Sequence, residues 1–289
     1  MKIIDAHMHF SDIAAFRECG LLTSEVDYSA PGYIAEAAAC GIERSICMGL
    51  SECPPSEFPD KGAETPMLAD LSDPLPPKIV ICPGINPHTL TPEAVDRLEQ
   101  LVHHDMTEHA ESRKIVGIKI YAGYYHFDVN DKVYSPAYDF AEAHGLPVAI
   151  HSGDTYSTKG KLIYSQPLSI DSLAVDRPNM RIIICHIGAP WIFDCCEVAG
   201  KNENVYVDMS GLLVGNAAYL EPMLNNALII DRYRQAFVMM DNYDKILFGT
   251  DWPLAPMASY IDFCKKLVPP ETYAKVFYEN AARVFGFQM

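Results

Sequence analysis

The sequence predicts an α/β protein, specifically a (β/α)8 barrel (TIM barrel), from two observations. Short apolar runs rich in β-branched residues recur along the chain and predict eight strands, near 2–7, 43–49, 79–84, 115–121, 146–151, 180–186, 204–209 and 245–250. Stretches with helical periodicity lie between several of them, at 31–41, 91–106 and 135–145. Parallel strands need such crossovers, and eight strand–helix units close a barrel.

The length of 289 residues fits one barrel, so we expect a single domain, 1–289. Five long connections follow predicted strands and would form the rim on which barrel enzymes place their active sites: 10–30, 50–78, 122–134, 152–165 and 210–218. The 50–78 connection holds seven prolines, which limit regular structure there to a short helix near 62–71.

Bulk composition excludes several classes of partner. A net charge of −16 with no basic cluster argues against nucleic-acid and anionic-membrane partners. No apolar stretch approaches the roughly 18 residues that span a bilayer. Nine cysteines without a C-x-x-C pair indicate free thiols in a reducing compartment. We therefore expect a cytoplasmic protein that acts on a small-molecule substrate, and a homo-oligomer stays open.

Several predicted strands end on a residue that can bind a metal. His7 and His9 end KIIDAHMH, His151 ends LPVAIH, His186 ends MRIIICH, and Asp251 follows ILFGT. The carboxyl ends of barrel strands meet on one face, so these side chains should lie together. Imidazole and carboxylate ligands suit a divalent transition metal, with zinc as the default. The sequence thus predicts a metal site on this face.

Alternation along the first strand assigns its side chains to two faces. Alternate residues of a strand share a face, which predicts Asp5, His7 and His9 facing inward and Ile4, Ala6 and Met8 facing outward. We expect Asp5 to orient a histidine through its free ring nitrogen, as second-sphere carboxylates do.

Lys119 lies within the apolar run VGIKIY, where alternation turns it inward with Gly117 and Tyr121. An uncompensated ammonium is costly on an interior strand. Three interpretations stay open: an ion pair, a cation that binds substrate, and a carbamate that bridges two metals.

Polar and aromatic residues that follow the third and fourth strands are candidates for binding substrate: Asn86, His88, Tyr121, Tyr124 and His126. The motifs G-x-S-x-G, G-x-x-x-x-G-K-[ST] and G-x-G-x-x-G do not occur in the sequence. Serine-hydrolase, nucleoside-triphosphatase and dinucleotide-dependent activities therefore have no support.

Five motifs in order, IDAHMH, GIKIY, AIHSGD, ICHIGAPW and FGTDWP, resemble the amidohydrolase superfamily and span almost the whole chain. The similarity is greatest to its amidohydrolase-related branch, which includes aminocarboxymuconate-semialdehyde decarboxylase-like enzymes. This resemblance implies that His7, His9, His151 and Asp251 bind one divalent ion.

The resemblance also implies roles for two further residues. His186 would lie beside the metal as an electrophile, or would bind a second metal. Lys119 matches a position that some members carboxylate, but Tyr121 stands where many relatives carry a histidine after GxK-x. One zinc ion is therefore favoured over two, and other divalent metals stay open.

The activity that fits is metal-dependent hydrolysis of an amide, lactone or ester bond in a small molecule. Asp251 would accept the proton of the attacking water, while His186 and Lys119 would polarise the attacked carbonyl. The alternative is a metal-dependent non-oxidative decarboxylase of a small carboxylic acid. A third class is a barrel that only binds ligands, although every expected ligand residue is present.

Overall fold

The computed structural model of the protein describes residues 1–52, 59–72, 74–108 (backbone only for 104–108) and 115–288. Within these ranges, strands form a three-stranded and a six-stranded parallel sheet. In chain order the strands are β1 (Ile3–Met8), β2 (Ile42–Met48), β3 (Ile79–Cys82), β4 (Gly84–Ile85), β5 (Ile118–Ile120), β6 (Val148–Ile150), β7 (Ile182–Ile184), β8 (Val205–Asp208) and β9 (Ile246–Leu247).

The two sheets form one closed barrel of eight strands. Pro83, which has no N–H to donate, separates β3 from β4, and both segments bond to the chain around β5: Val116 N donates to Ile81 O at 2.9 Å, and Lys119 N donates to Pro83 O at 2.8 Å. The last strand lies beside the first, because Ala6 N donates to Phe248 O at 2.9 Å. The predicted barrel is confirmed.

Helices follow most strands. In chain order they are α1 (Ala14–Cys19), α2 (Ala30–Cys40), α3 (Pro92–Glu108), α4 (Ser135–Ala143), α5 (Leu168–Asp176), α6 (Ile192–Lys201), α7 (Ala217–Met223), α8 (Ala227–Met240), α9 (Met257–Leu267) and α10 (Asn280–Phe285). Sequence signals set their ends. The Ser29 hydroxyl caps α2 by accepting from Gly32 N at 3.1 Å, and Gly41 ends α2 at φ +71°.

The connection between β2 and β3 differs from the prediction. Its described residues carry no helix, and the short helix predicted near 62–71 is absent from them. Met67 instead forms an antiparallel bridge with Gly84. Proline removes a backbone donor and disfavours the helical conformation of the residue before it, which explains why Pro66 does not lie within a helix.

The prediction for the faces of β1 is wrong in part. Ile4 and Ala6 belong to the apolar cluster that fills the barrel together with Ile183 and Leu247, and α10 packs against this cluster through Phe285. Met8, by contrast, belongs to the cluster between strands and helices. The pairing of β1 with β2 shifts register between Asp5 and Met8. Such a bulge reverses the alternation of side chains.

Within the part of the chain that the structure describes, no helix combines the length and the apolar character that crossing a membrane requires. The eight described cysteines are free thiols.

Candidate active site

Three predicted ligands converge where β1 and β9 end. His9 Nε2 lies 3.2 Å from Asp251 Oδ1, and His7 Nε2 lies 3.6 Å from the same oxygen. All three side chains are buried. Their candidate ligand atoms fall within 4.8 Å of one another, so small movements of the side chains would bring all three to the distance of about 2.0–2.2 Å from a single zinc ion.

The hydrogen bonds of the two histidines fix which nitrogen faces Asp251. His7 Nδ1 is 2.9 Å from Asp208 Oδ2, and His9 Nδ1 is 3.1 Å from Met48 O. Both partners accept, so we assign the proton of each ring to Nδ1. Each Nε2 therefore presents a lone pair to Asp251.

These lone pairs test whether the residues fit a metal. His7 Nε2 and Asp251 Oδ1 are buried and find no hydrogen-bond partner among the described residues. Leaving a buried polar group unsatisfied costs about 1–3 kcal/mol. A divalent cation would satisfy both atoms, and His9 Nε2 as well. The donor set of two imidazoles and one carboxylate fits zinc.

Asp208, at the end of β8, is a site residue that sequence analysis missed. Besides holding His7, it accepts from His186 N at 2.9 Å and from Ser210 N at 3.0 Å. Burial raises the pKa of Asp208, but the charges of His7 and His186 together with the hydrogen bonds from His7 and Ser210 outweigh burial and hold this pKa below its usual range. The signal was present, because the apolar run VYV ends on this carboxylate as other strands end on His7 or Asp251.

The other two predicted histidines lie in the same place but outside the group of three. The His186 ring is 4.8 Å from the His7 ring and 4.9 Å from the His151 ring, between centroids. His186 Nδ1 is 3.1 Å from Ser210 O and 3.7 Å from Asp251 Oδ2. His151 Nε2 donates to Asp154 O at 3.0 Å. His151 thus remains a predicted fourth ligand.

Burial sets the protonation of this cluster. It lowers the pKa of His7 to about 3, aided by the charge of Lys119, and it lowers the pKa values of His151 and His186. For Asp251, burial acts in the opposite direction, but the neighbouring His186, His7 and His9 outweigh it and hold the pKa of Asp251 below its usual range. Neutral imidazoles around an ionised carboxylate are the forms that bind metal.

Lys119 occupies the buried position that the sequence predicted. Its Nζ donates to Cys185 Sγ at 3.0 Å and lies 5.4 Å from the centroid of the Tyr121 ring. Its side chain is 1% exposed and forms no ion pair with any described residue. The ion-pair interpretation is therefore wrong for the described part of the chain, and the other two remain.

A cavity of about 610 Å³ opens above the cluster, and only some of the predicted substrate residues line it. Tyr121 and Tyr124 do. Asn86, His88 and His126 do not, so the structure does not bring these three predicted residues to the cavity. Their side chains contact residues of the loops instead.

The contacts of these three residues explain the difference. The buried Asn86 amide donates to Ala63 O at 2.7 Å and so holds the connection between β2 and β3. His88 packs edge-on against Phe127, 5.2 Å between ring centroids. His126 lies 3.0 Å from Lys159 O and stacks on Tyr164.

The backbone around Asp251 is held in an unusual conformation. Asp251 has φ +59°, which is uncommon for a residue other than glycine and marks a constrained position. Asp5 accepts from Thr250 N at 2.9 Å and from Thr250 Oγ1 at 2.6 Å. The expectation that Asp5 orients a histidine ring is therefore wrong, because Asp5 holds the turn that presents Asp251.

Comparison with known proteins places the chain in a family. The sequence profile described as amidohydrolase matches residues 4–287, so the chain belongs to the amidohydrolase family, as its motifs predicted. No curated protein matches its sequence.

Solved structures share the fold. An uncharacterized TIM-barrel protein from Bordetella bronchiseptica is 22% identical, with 99% of each chain covered and a TM-score of 0.70. The 5-carboxyvanillate decarboxylase from Sphingomonas paucimobilis is 15% identical over 99% of each chain, with a TM-score of 0.62. An amidohydrolase from Burkholderia multivorans with bound zinc is 16% identical over 100% of each chain, with a TM-score of 0.64. At these identities the similarity establishes the fold alone.

Proposed function

We propose that this protein is a zinc-dependent hydrolase that cleaves an amide, lactone or ester bond of a small molecule at a site that holds one ion. The observation that supports it is the convergence of three candidate ligand atoms. His7 Nε2 and His9 Nε2 both face Asp251 Oδ1, and His7 Nε2 and Asp251 Oδ1 have no hydrogen-bond partner among the described residues. His151 would complete the ligand set by turning from Asp154 O. Zinc, when bound, supplies Lewis acidity that polarises a substrate oxygen and makes water acidic near neutral pH.

Asp251 is the proposed proton acceptor. Its Oδ1 faces the two histidines, whereas its Oδ2 lies toward His186 Nδ1 at 3.7 Å. One carboxylate can thus bind the ion through Oδ1 and take the proton of the attacking water at Oδ2. The proton then passes to the leaving group.

His186 and Lys119 act on the substrate in this proposal. The His186 Nδ1 proton is directed to Ser210 O, so its Nε2 is left as an acceptor on a ring that lines the cavity. A neutral His186 can therefore accept a proton at Nε2 and pass it on. It can polarise a carbonyl only when Nε2 carries a proton. The Lys119 ammonium lines the same cavity and stabilises negative charge that develops on the substrate.

Decarboxylation is the second candidate, and Lys119 is the observation that favours it. A buried cation that pairs with no described carboxylate can receive a carboxylate from the substrate. A protonated His186 could then deliver a proton to carbon. The same residues thus support either reaction, and the products distinguish them.

The test begins with metal analysis of protein purified without chelators, and then applies a panel of lactones, amides and carboxylic acids. Hydrolysis supports the main proposal, and release of CO₂ supports the alternative. Asp251→Asn should lower turnover on any substrate found by about two to four orders of magnitude, the size of a general-base contribution. Asp176→Asn, an exposed aspartate at the end of α5, is the matched control. Protein that neither contains nor binds zinc would contradict the metal site.

A further inference from the structure

We propose that the substrate carries a single anionic group, placed beside the metal-binding residues, on an otherwise apolar body, and that dicarboxylates whose second carboxylate would lie against the apolar wall are excluded. This inference rests on the proposed function for the location of the reacting group. The distribution of charge and apolar surface in the cavity supports it.

Positive charge in the cavity is scarce. Among the described residues that line it, the permanent cations are Lys119 and Arg232. Lys119 is buried beside the histidine cluster. Arg232 is exposed on α8, and its guanidinium donates to Pro190 O at 2.9 Å. A substrate can therefore place one carboxylate beside Lys119 and the metal-binding residues, whereas a second carboxylate at the far end of its body meets no buried cation among the described lining residues.

One wall of the cavity is apolar from the metal site outward. Ile13, Phe16, Leu50 and Leu254 are buried and belong to one cluster with Tyr121 and Tyr124. The Phe16 ring lies 4.6 Å from the His9 ring, between centroids, so the apolar wall begins directly beside a proposed ligand. A substrate that reaches the metal thus contacts this wall immediately.

The polar groups in that wall are already engaged. The Tyr121 hydroxyl donates to Gly49 O at 2.7 Å, and the Tyr124 hydroxyl accepts from Tyr156 N at 2.8 Å. Further apolar lining comes from Ile192, Leu212 and Val214, of which Ile192 is buried. The body of the substrate therefore meets mainly carbon.

Two physical effects then select the substrate. Each methylene that the wall removes from water should tighten binding by up to about fourfold. A second carboxylate held against the same wall loses its hydration without gaining a partner, which is strongly unfavourable. The volume of about 610 Å³ accommodates a body of one or two rings or a medium-length chain.

The experiment is a calorimetric titration of the zinc-loaded protein with butanoate, hexanoate and adipate, and with benzoate and terephthalate. Adipate has the same six-carbon skeleton as hexanoate with a carboxylate in place of the terminal methyl group, and terephthalate is benzoate with a second carboxylate on the ring. We expect hexanoate to bind about fivefold to fifteenfold more tightly than butanoate. Adipate and terephthalate should bind at least tenfold more weakly than hexanoate and benzoate. Dianions that bind as tightly as their monoanions, or affinity that does not change with chain length, would overturn the proposal.

A charge placed in the wall provides the reverse test. Val214→Lys adds a cation to the apolar wall of the cavity and should improve terephthalate binding by about tenfold or more while weakening hexanoate binding. Leu228→Lys, at a position that is 88% exposed outside the cavity, should change neither. Circular dichroism and zinc content identify a variant that has not folded. Equal responses of the two variants contradict the proposed wall.

This series separates the inference from the proposed function. The titrations can be repeated on metal-free protein, where Lys119 and the wall are unchanged. A preference for apolar monoanions in a protein that binds no zinc would refute the metal site and keep the inference. A protein that binds zinc but shows no preference for apolar monoanions would keep the metal site and refute the inference.

Discussion

Asp208 Oδ2 lies 2.9 Å from His7 Nδ1, and neither side chain is exposed to solvent. The pair connects β8 to β1 across the barrel, because Asp208 ends one strand and His7 belongs to the other. A carboxylate on the far nitrogen of a ligand fixes the tautomer and raises the basicity of the near nitrogen. Asp208 therefore prepares His7 Nε2 to bind a metal.

We predict that Asp208→Asn lowers zinc affinity by about 10- to 100-fold, the usual effect of removing such a carboxylate. An asparagine oxygen still accepts from His7 but brings no negative charge, so the loss measures basicity as well as orientation. Competition with a chromogenic chelator gives the affinity. Asp262→Asn, an exposed residue of α9, is the control and should have no effect. Unchanged affinity in the Asp208 variant would mean that His7 is not a ligand.

The second prediction concerns Gly211, which lies against Asp251 and His186. A Cβ on Gly211 would lie 2.5 Å from Asp251 Oδ2 and 2.9 Å from His186 Nδ1. Gly211→Ala should therefore displace both side chains and reduce both zinc affinity and turnover by at least tenfold. Zinc titration and activity on any identified substrate measure these effects.

Gly145 supplies a matched control for that substitution. Its φ of +59° is close to the +64° of Gly211, but a Cβ there meets nothing within 4 Å. Both alanine variants should lose stability by about 1–2 kcal/mol, the cost of the left-handed conformation for a residue with a Cβ. Only Gly211→Ala should affect zinc. If Gly145→Ala weakened zinc binding to the same degree, general destabilisation would explain both results.

The strand ends show how much of this site the sequence predicts and why. The run before each of His7, His151, His186 and Asp251 is apolar, so strand position and barrel topology together bring these residues to one face. That inference needs only the end of each strand. The same pattern would have identified Asp208, whose VYVD run carries no recognised motif.

The sequence predictions differ from the structure where the direction of a side chain depends on tertiary structure. A bulge in β1 turns Ile4 and Ala6 into the barrel, and no sequence alternation encodes it. Asn86 and His126 follow strands, but loop backbone takes up their polar atoms. Strand periodicity predicts where a loop begins. It does not predict which side chains of the loop reach the cavity.

The third prediction is that the affinity for zinc falls less at acidic pH than it would if the histidine ligands were exposed to solvent. Burial lowers the pKa of His7 to about 3 and also lowers the pKa of His151. A lowered pKa keeps an imidazole neutral as the pH falls, so protons compete less with the metal. From about pH 7 to about pH 5.5, two imidazoles at the ordinary pKa of about 6.5 would cost roughly a hundredfold in affinity.

We expect His7 and His151 to contribute less than a tenfold loss over this interval. Zinc is titrated at each pH into the wild-type protein and into His151→Gln, which lacks one of these two histidines. The difference between the two proteins gives the contribution of His151 to the loss of affinity. A loss of roughly a hundredfold in the wild-type protein that falls to roughly tenfold in the variant would show that His151 titrates as an exposed residue.

The last prediction is that Lys119 stays an amine and the site holds one zinc ion per chain. Its Nζ donates to Cys185 Sγ at 3.0 Å, and the buried carboxylate Asp208 lies beside the same thiol. A carbamate would reverse the charge at this point and place a second anion near Asp208, which a single ion would not offset. Tyr121, whose hydroxyl is held by Gly49 O, offers no ligand for a second ion.

Metal stoichiometry together with anomalous diffraction tests this prediction directly. Density for an unmodified Lys119 with one zinc bound by His7, His9, His151 and Asp251 is the expected result. Lys119→Met should keep the stoichiometry at one ion while it weakens the binding of benzoate at least tenfold, because the variant loses a cation and no ligand. If the wild-type protein held two ions about 3.5–4 Å apart with a carbamate between them, and Lys119→Met lost one of them, then Lys119 would be a metal ligand and the single-ion site would be wrong.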